Sequence, residues 1–91
     1  MLDPRELERR VASSLNEAEV EVRDLTGTGD HFEMRVVTPS FEGKSLIEQH
    51  QLVYAPLRDL LQTGELHALT LKTYSPEQWK RASATRLTTT R

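Results

Sequence analysis

The sequence predicts an α+β domain in which a three-stranded mixed sheet carries its helices on one face. Three observations predict it: two alternating apolar and polar runs joined by a Gly-rich turn, a helical apolar run interrupted by Pro56, and a third alternating run opening at His67. The first two runs are near enough to pair as an antiparallel hairpin. Roughly two dozen residues separate the second from the third, ample for a right-handed crossover that sets them parallel.

The chain opens with Asp3-Pro4-Arg5-Glu6. Asp3 is an N-cap acceptor, Pro4 occupies the first helical position where its missing N–H is harmless, and Glu6 completes a capping box. Leu2 and Leu7 have the spacing of a hydrophobic staple, and Leu7, Val11 and Leu15 continue as one apolar stripe that stops near Asn16. Val20 and Val22 then alternate with Glu19, Glu21 and Arg23, the period of a half-buried strand. Turn chemistry follows in Thr26-Gly27-Thr28-Gly29-Asp30, after which Phe32, Met34 and Val36 resume the alternation. Pro39, lacking a ladder donor, ends the second strand.

From Lys44 the apolar spacing becomes helical through Leu46, Ile47, His50, Val53, Tyr54 and Leu57. Pro56 divides this run into two helices meeting at an angle, the second anchored by Leu60 and Leu61 and capped by Gly64. In the third strand His67, Leu69 and Leu71 face one side, with Leu66, Ala68, Thr70 and Lys72 on the other. Ser75-Pro76-Glu77-Gln78 starts a last helical turn anchored by Trp79. Residues 1–82 are read as one domain and 83–91 as a disordered tail, because beyond Ala82 the Ser, Thr and Arg content offers no core-facing pattern.

Composition limits the chemistry. Ninety-one residues suit one core, and no apolar run approaches the roughly 20 residues of a membrane span. The charged N-terminus lacks the apolar segment of a secretory signal, so the expected compartment is the cytoplasm or an equivalent organelle interior. Cysteine is absent, which excludes disulfides, thiolate catalysis and any sulfur-ligated metal site made by this chain alone. The net charge of −2 is unevenly spread: residues 1–30 hold four basic and eight acidic side chains, residues 70–91 five basic and one acidic. General attraction to a phosphate backbone is therefore disfavoured outside the tail.

No nucleophile, base and orienting group fall at motif spacing, so the chain is expected not to be an enzyme. Gly43-Lys44-Ser45 resembles the end of a phosphate-binding loop but has Thr38 where that loop needs Gly. Gly27-x-Gly29 joins two strands and is no dinucleotide fingerprint, and a Gly-x-x-Gly clamp would need Gly at Leu46. Tyr54 and Trp79 read as packing residues, since no basic residues interleave them. His50 lies in the apolar stripe, where a packed imidazole is the default reading. His31, against the Gly-rich loop, is either a hairpin cap, a solvated ring or a ligand; His67, at the head of the third strand, leaves the same alternatives open.

Taken together, Gly29-Asp30-His31-Phe32, Val36-Val37-Thr38, Phe41-Glu42-Gly43-Lys44-Ser45, His50-Gln51-Leu52-Val53-Tyr54, His67-Ala68-Leu69 and Lys72-Thr73-Tyr74-Ser75-Pro76-Glu77-Gln78-Trp79 resemble the BolA-like family almost end to end. The resemblance implies a class II KH-like fold of order αββααβ(α). It also implies an accessory or regulatory role in iron–sulfur metabolism, through a monothiol glutaredoxin that shares a [2Fe–2S] cluster. The family's ligand at the head of the last strand maps onto His67, and the second ligand, from the loop between the first two strands, maps onto His31. Such a cluster needs four ligands, so glutaredoxin cysteine and glutathione are expected to supply the thiolates. Imidazole ligation removes negative charge and can be reversed by protonation, so a labile, transferable or sensing cluster follows. The alternative is a DNA-binding transcriptional regulator using the helix-turn-helix surface, although Gln49 and Gln51 stand where many relatives are basic. An adaptor without metal is a third reading, and homodimerisation is left open.

Overall fold

The computed structural model describes residues 2–27, 29 and 31–89, with side chains as far as Ser83. Helix α1 spans Pro4–Ser14, β1 Glu19–Asp24, β2 His31–Val37, α2 Leu46–Tyr54, α3 Arg58–Thr63, β3 Ala68–Tyr74 and α4 Pro76–Thr89. Short 3-10 turns at Pro39–Phe41 and Ala55–Leu57 lead into and out of α2. The element order and the α+β class are those expected. Strand β2 is central, antiparallel to β1 and parallel to β3. Among the described residues no helix is long and apolar enough to cross a membrane.

Helices α1 and α2 start where their capping residues direct. Asp3 accepts from the Arg5 N–H at 2.9 Å, and Ser45 forms a reciprocal capping box with Glu48. The Ser45 backbone N–H, donating to the Glu48 carboxylate at 2.8 Å, and then the Ser45 hydroxyl hold the Glu48 carboxyl below the ordinary glutamate range, while the Glu48 N–H donates to the Ser45 side chain at 3.2 Å. Gly64 closes α3 with φ +83°, a left-handed cap conformation that glycine adopts without steric cost.

One face of the sheet is the core. Phe32, Met34 and Val36 from β2 pack against Leu7 and Val11 of α1 and against Val53, Leu57, Leu60 and Leu66. Val20, Val22, Leu69 and Leu71 from the flanking strands border this cluster. Burying such side chains contributes about 1.5–3 kcal/mol each, which is what holds three helices on this side. Thr38 is fully buried, its hydroxyl donating to the Asn16 carbonyl and its N–H to the Tyr74 carbonyl. It thereby joins the ends of α1, β2 and β3.

Four expectations need correction. His50 is only partly buried, and Gln49 is the core-facing residue, 2% exposed. The inward stripe is Gln49, Val53, Leu57 and Leu60, which keeps Val53, Leu57 and Leu60 from the expected pattern and puts Gln49 in the place of His50. A polar side chain fills the inward position because it has partners: Nε2 donates to the carbonyls of Phe41 (3.4 Å) and Lys44 (3.2 Å), and Oε1 accepts from the Thr73 hydroxyl at 2.8 Å. Consequently Leu46 and Ile47, expected inside, are 62% and 71% exposed. Leu66, expected on the open side of β3, precedes that strand and is buried, its N–H donating to the Leu60 carbonyl.

Helix α4, expected as one turn ending by Ala82, runs to Thr89. Ser75 and Gln78 form a reciprocal cap at its start, and Glu77 pairs with Arg81 one turn on, which supports its first turns. Residues 90–91, and the side chains of 84–89, lie outside the described residues. Unlike α1 to α3, α4 applies its anchor Trp79 to Arg35 on the opposite face of the sheet.

Candidate functional site

The parallel pairing of β2 with β3 decides where the two candidate ligands fall. His31 is the first residue of β2 and pairs with Ala68, the first of β3; His67 is the residue immediately before it. Strand geometry of about 4.8 Å between neighbours and 3.3 Å rise per residue puts their Cα atoms about 6 Å apart. Both histidines are exposed. His31 shares the open face of the sheet with Glu33 and Arg35, whereas His67 lies one step beyond the end of its strand.

Two local devices fix this corner. Below His67, buried Leu66 and its hydrogen bond to Leu60 tie the strand entry to the end of α3. Beside His31, the Asp24 carboxylate gathers the loop: Oδ1 accepts from the N–H groups of Thr26 (3.3 Å) and Gly27 (2.9 Å), and Oδ2 from that of Gly29 (2.9 Å). Gly27 and Gly29 adopt φ values of +76° and +79°, which turn their amides towards one acceptor. The Leu25 N–H then donates to the His31 carbonyl at 2.9 Å and closes the loop. Thr28 and Asp30, which belong to the expected turn and motif, lie outside the described residues. Asp24 carries no motif in the sequence reading; an Asp three and five residues before two spaced glycines is the signal that could have found it.

The donor set suits half of a metal site. Among the described residues no three of His, Cys, Asp or Glu come together to hold an ion. Two exposed histidines on adjacent chain segments place imidazole, a ligand that suits iron, at one end of the sheet, and a chain without cysteine offers no sulfur donor of its own beside them. His50 is separate, a partly buried residue on α2.

The helix-turn-helix surface has a different character. Ser45, Leu46 and Ile47 open α2, exposed with Lys44 and Glu48, and Arg58 and Asp59 open α3. Asp59 accepts from Arg10 at 2.9 and 3.1 Å, and this hydrogen-bonded pair holds its carboxyl below the ordinary aspartate range. Cations and carboxylates thus alternate there, in contrast to the clustered Lys and Arg that favour phosphate binding.

Comparison with known proteins agrees with this architecture. The family model described as BolA-like protein matches residues 1–78. The chain is 38% identical over 93 aligned residues to Protein BOLA2 of Arabidopsis thaliana, covering 100% of this chain and 98% of that protein. The structure of a BolA protein homologue from Coxiella burnetii superposes with a TM-score of 0.73 at 33% identity, covering 88% of this chain and 99% of that one. The BolA domain of SufE1 from Arabidopsis thaliana gives the same TM-score at 32% identity, covering 85% and 98%. In sequence, fold and extent, the chain belongs to the BolA-like family.

Proposed function

We propose that this chain is a non-enzymatic accessory protein of iron–sulfur metabolism that binds a monothiol glutaredoxin and co-ligates a shared [2Fe–2S] cluster through His67, with His31 as second ligand. The observation that carries the proposal is the register His31 to Ala68, which makes the two exposed histidines neighbours at one end of the sheet. A group held by both rings sits across the ends of β2 and β3, where the partner can approach without displacing the core. Kinship with the BolA domain of SufE1 and with a plant BolA protein supports the same assignment.

The chain's contribution is specific. Leu66 and Asp24 hold the two backbone segments at fixed separation, so neither imidazole has to be ordered from a free loop when the partner arrives. Each histidine would contribute one imidazole nitrogen, while the glutaredoxin cysteine and glutathione would contribute thiolates. The bound cluster would supply electron storage and transferable iron and sulfide. Imidazole donors release more readily than thiolates, which suits handover to an acceptor or a sensing role in the cytoplasm.

Reconstitution of the chain with a monothiol glutaredoxin, glutathione, iron and sulfide, followed by visible circular dichroism, tests this. His67→Ala should abolish the spectrum characteristic of the mixed complex and leave that of the glutaredoxin-only cluster. His31→Ala should alter the band positions or hasten cluster loss. An unchanged spectrum for His67→Ala would remove the ligand role at that position.

A further inference from the structure

The face of the sheet opposite the core ends, beneath α4, in a cleft of about 350 Å³ bounded by Glu21, Arg23, Glu33, Arg35, Lys72 and Trp79. Three cations against two carboxylates leave it one positive charge in excess. The pairs among them are loose: Arg35 Nε lies 3.5 Å from Glu21, and Glu33 is shared between Arg23 at 3.6 Å and Lys72 at 3.4 Å. Charge-assisted N–H···O bonds ordinarily close to about 2.7–2.9 Å, so these cations keep donor capacity in hand.

Arg35 is the most constrained of them. Its guanidinium carbon lies 4.4 Å above the Trp79 ring, and only 20% of its side chain is exposed. Its Nη1 is buried without a hydrogen-bond acceptor, alone in this respect among the buried side-chain polar atoms of the described residues. A buried charged donor without an acceptor is the usual mark of a missing water or ligand.

We propose that this cleft binds a carboxylate, received by the Arg35 guanidinium, with Trp79 as a movable wall. The planar guanidinium fork matches a carboxylate in bidentate geometry. A monoanion cancels the single excess charge, whereas a phosphate monoester, with close to two charges, overshoots it beside Glu21 and Glu33. Turning the indole aside uncovers Nη1 and exchanges the cation–π contact for the paired hydrogen bonds. The volume suits a small organic acid or the C-terminal residue of a peptide chain. Arg35 lies four residues from His31 along β2, about 13 Å at 3.3 Å per residue, so this site stands apart from the proposed cluster corner and does not depend on it.

Trp79 is the only tryptophan in the sequence, so its fluorescence reads the cleft directly. Titrating the full chain with sodium benzoate should give a saturable change in Trp79 emission that benzamide does not reproduce. Arg35→Lys, which keeps the charge but loses the fork, should weaken the apparent affinity at least tenfold, and Arg10→Gln, on the core side, should not. In the wild type the Arg35 Hε resonance should shift along the same isotherm, a readout that needs no variant. N-acetyl-glycyl-phenylalanine, compared with its C-terminal amide, separates the two carboxylate sources: binding by the peptide acid alone assigns a chain terminus, and binding by benzoate assigns free acids. No saturable change with either acid, an equal response to benzamide, or tighter binding of inorganic phosphate than of benzoate overturns the proposal.

Discussion

Replacing Gln49 with leucine removes the polar side chain that joins α2 to β3 and to the turn before α2. The two side chains are similar in length, so the main loss is hydrogen bonding. Thr73, 7% exposed, loses the acceptor 2.8 Å from its hydroxyl. The Phe41 carbonyl still accepts from the Lys44 N–H at 3.2 Å, and the Lys44 carbonyl is less deeply placed, so their long bonds to Gln49 count for little. One buried group left unsatisfied costs about 1–3 kcal/mol, and the two weak bonds add about 1 kcal/mol, partly offset by the apolar gain of leucine. The expected loss is about 2–3 kcal/mol, or roughly 8–24 °C in Tm for a domain of this size. Urea unfolding followed by far-UV circular dichroism measures it. Thr73→Val in the same chain removes the orphaned hydroxyl, so the double variant should be more stable than the sum of the singles by about 1–2 kcal/mol. A Gln49→Leu loss below about 0.5 kcal/mol, or strict additivity in the double variant, would refute the claim that this network holds the inward position.

Asp24→Ala should accelerate amide hydrogen exchange at Gly27 and Gly29 and lower stability by about 1 kcal/mol, because the carboxylate is the shared acceptor for that loop. In the reconstitution assay it should also hasten cluster loss, through His31 and not through His67. Asp59 titrates below the ordinary aspartate range because Arg10 donates to it, so it favours the folded chain above that range and ceases to do so as pH falls through its lowered value. Arg10→Gln should move the Asp59 titration upward towards the ordinary value, as followed by side-chain carbonyl NMR.

The parts of the fold legible in the sequence were those set by short-range chemistry. Asp3, Ser75 and Gly64 each announce a helix boundary through their own side chain or lack of one. The alternation around Phe32, Met34 and Val36 announces a strand with one buried face. Helix α2 was misread because periodicity counts apolar residues, while its inward position is occupied by an amide whose partners, Phe41, Lys44 and Thr73, are distant or hidden in the fold. The extent of α4 is likewise not legible from apolar periodicity, whereas its start is, in the Ser75 cap and the Glu77–Arg81 pair. His31 and His67 were identified as candidates by residue type and resemblance, but their adjacency follows only from the parallel register. Arg35 carried no motif at all; its significance comes from Trp79, which the chain returns to it from the far side of β3.

His31 and Ala68 pair across thirty-seven positions of chain, and a parallel partnership of that span closes a long loop at an entropy cost that local pairs escape. The two histidines therefore become neighbours only once that loop-closure entropy has been spent. A nascent or partly unfolded copy presents single histidines with no fixed companion. On the proposed function, the capacity to hold a cluster is in this way tied to completion of the sheet.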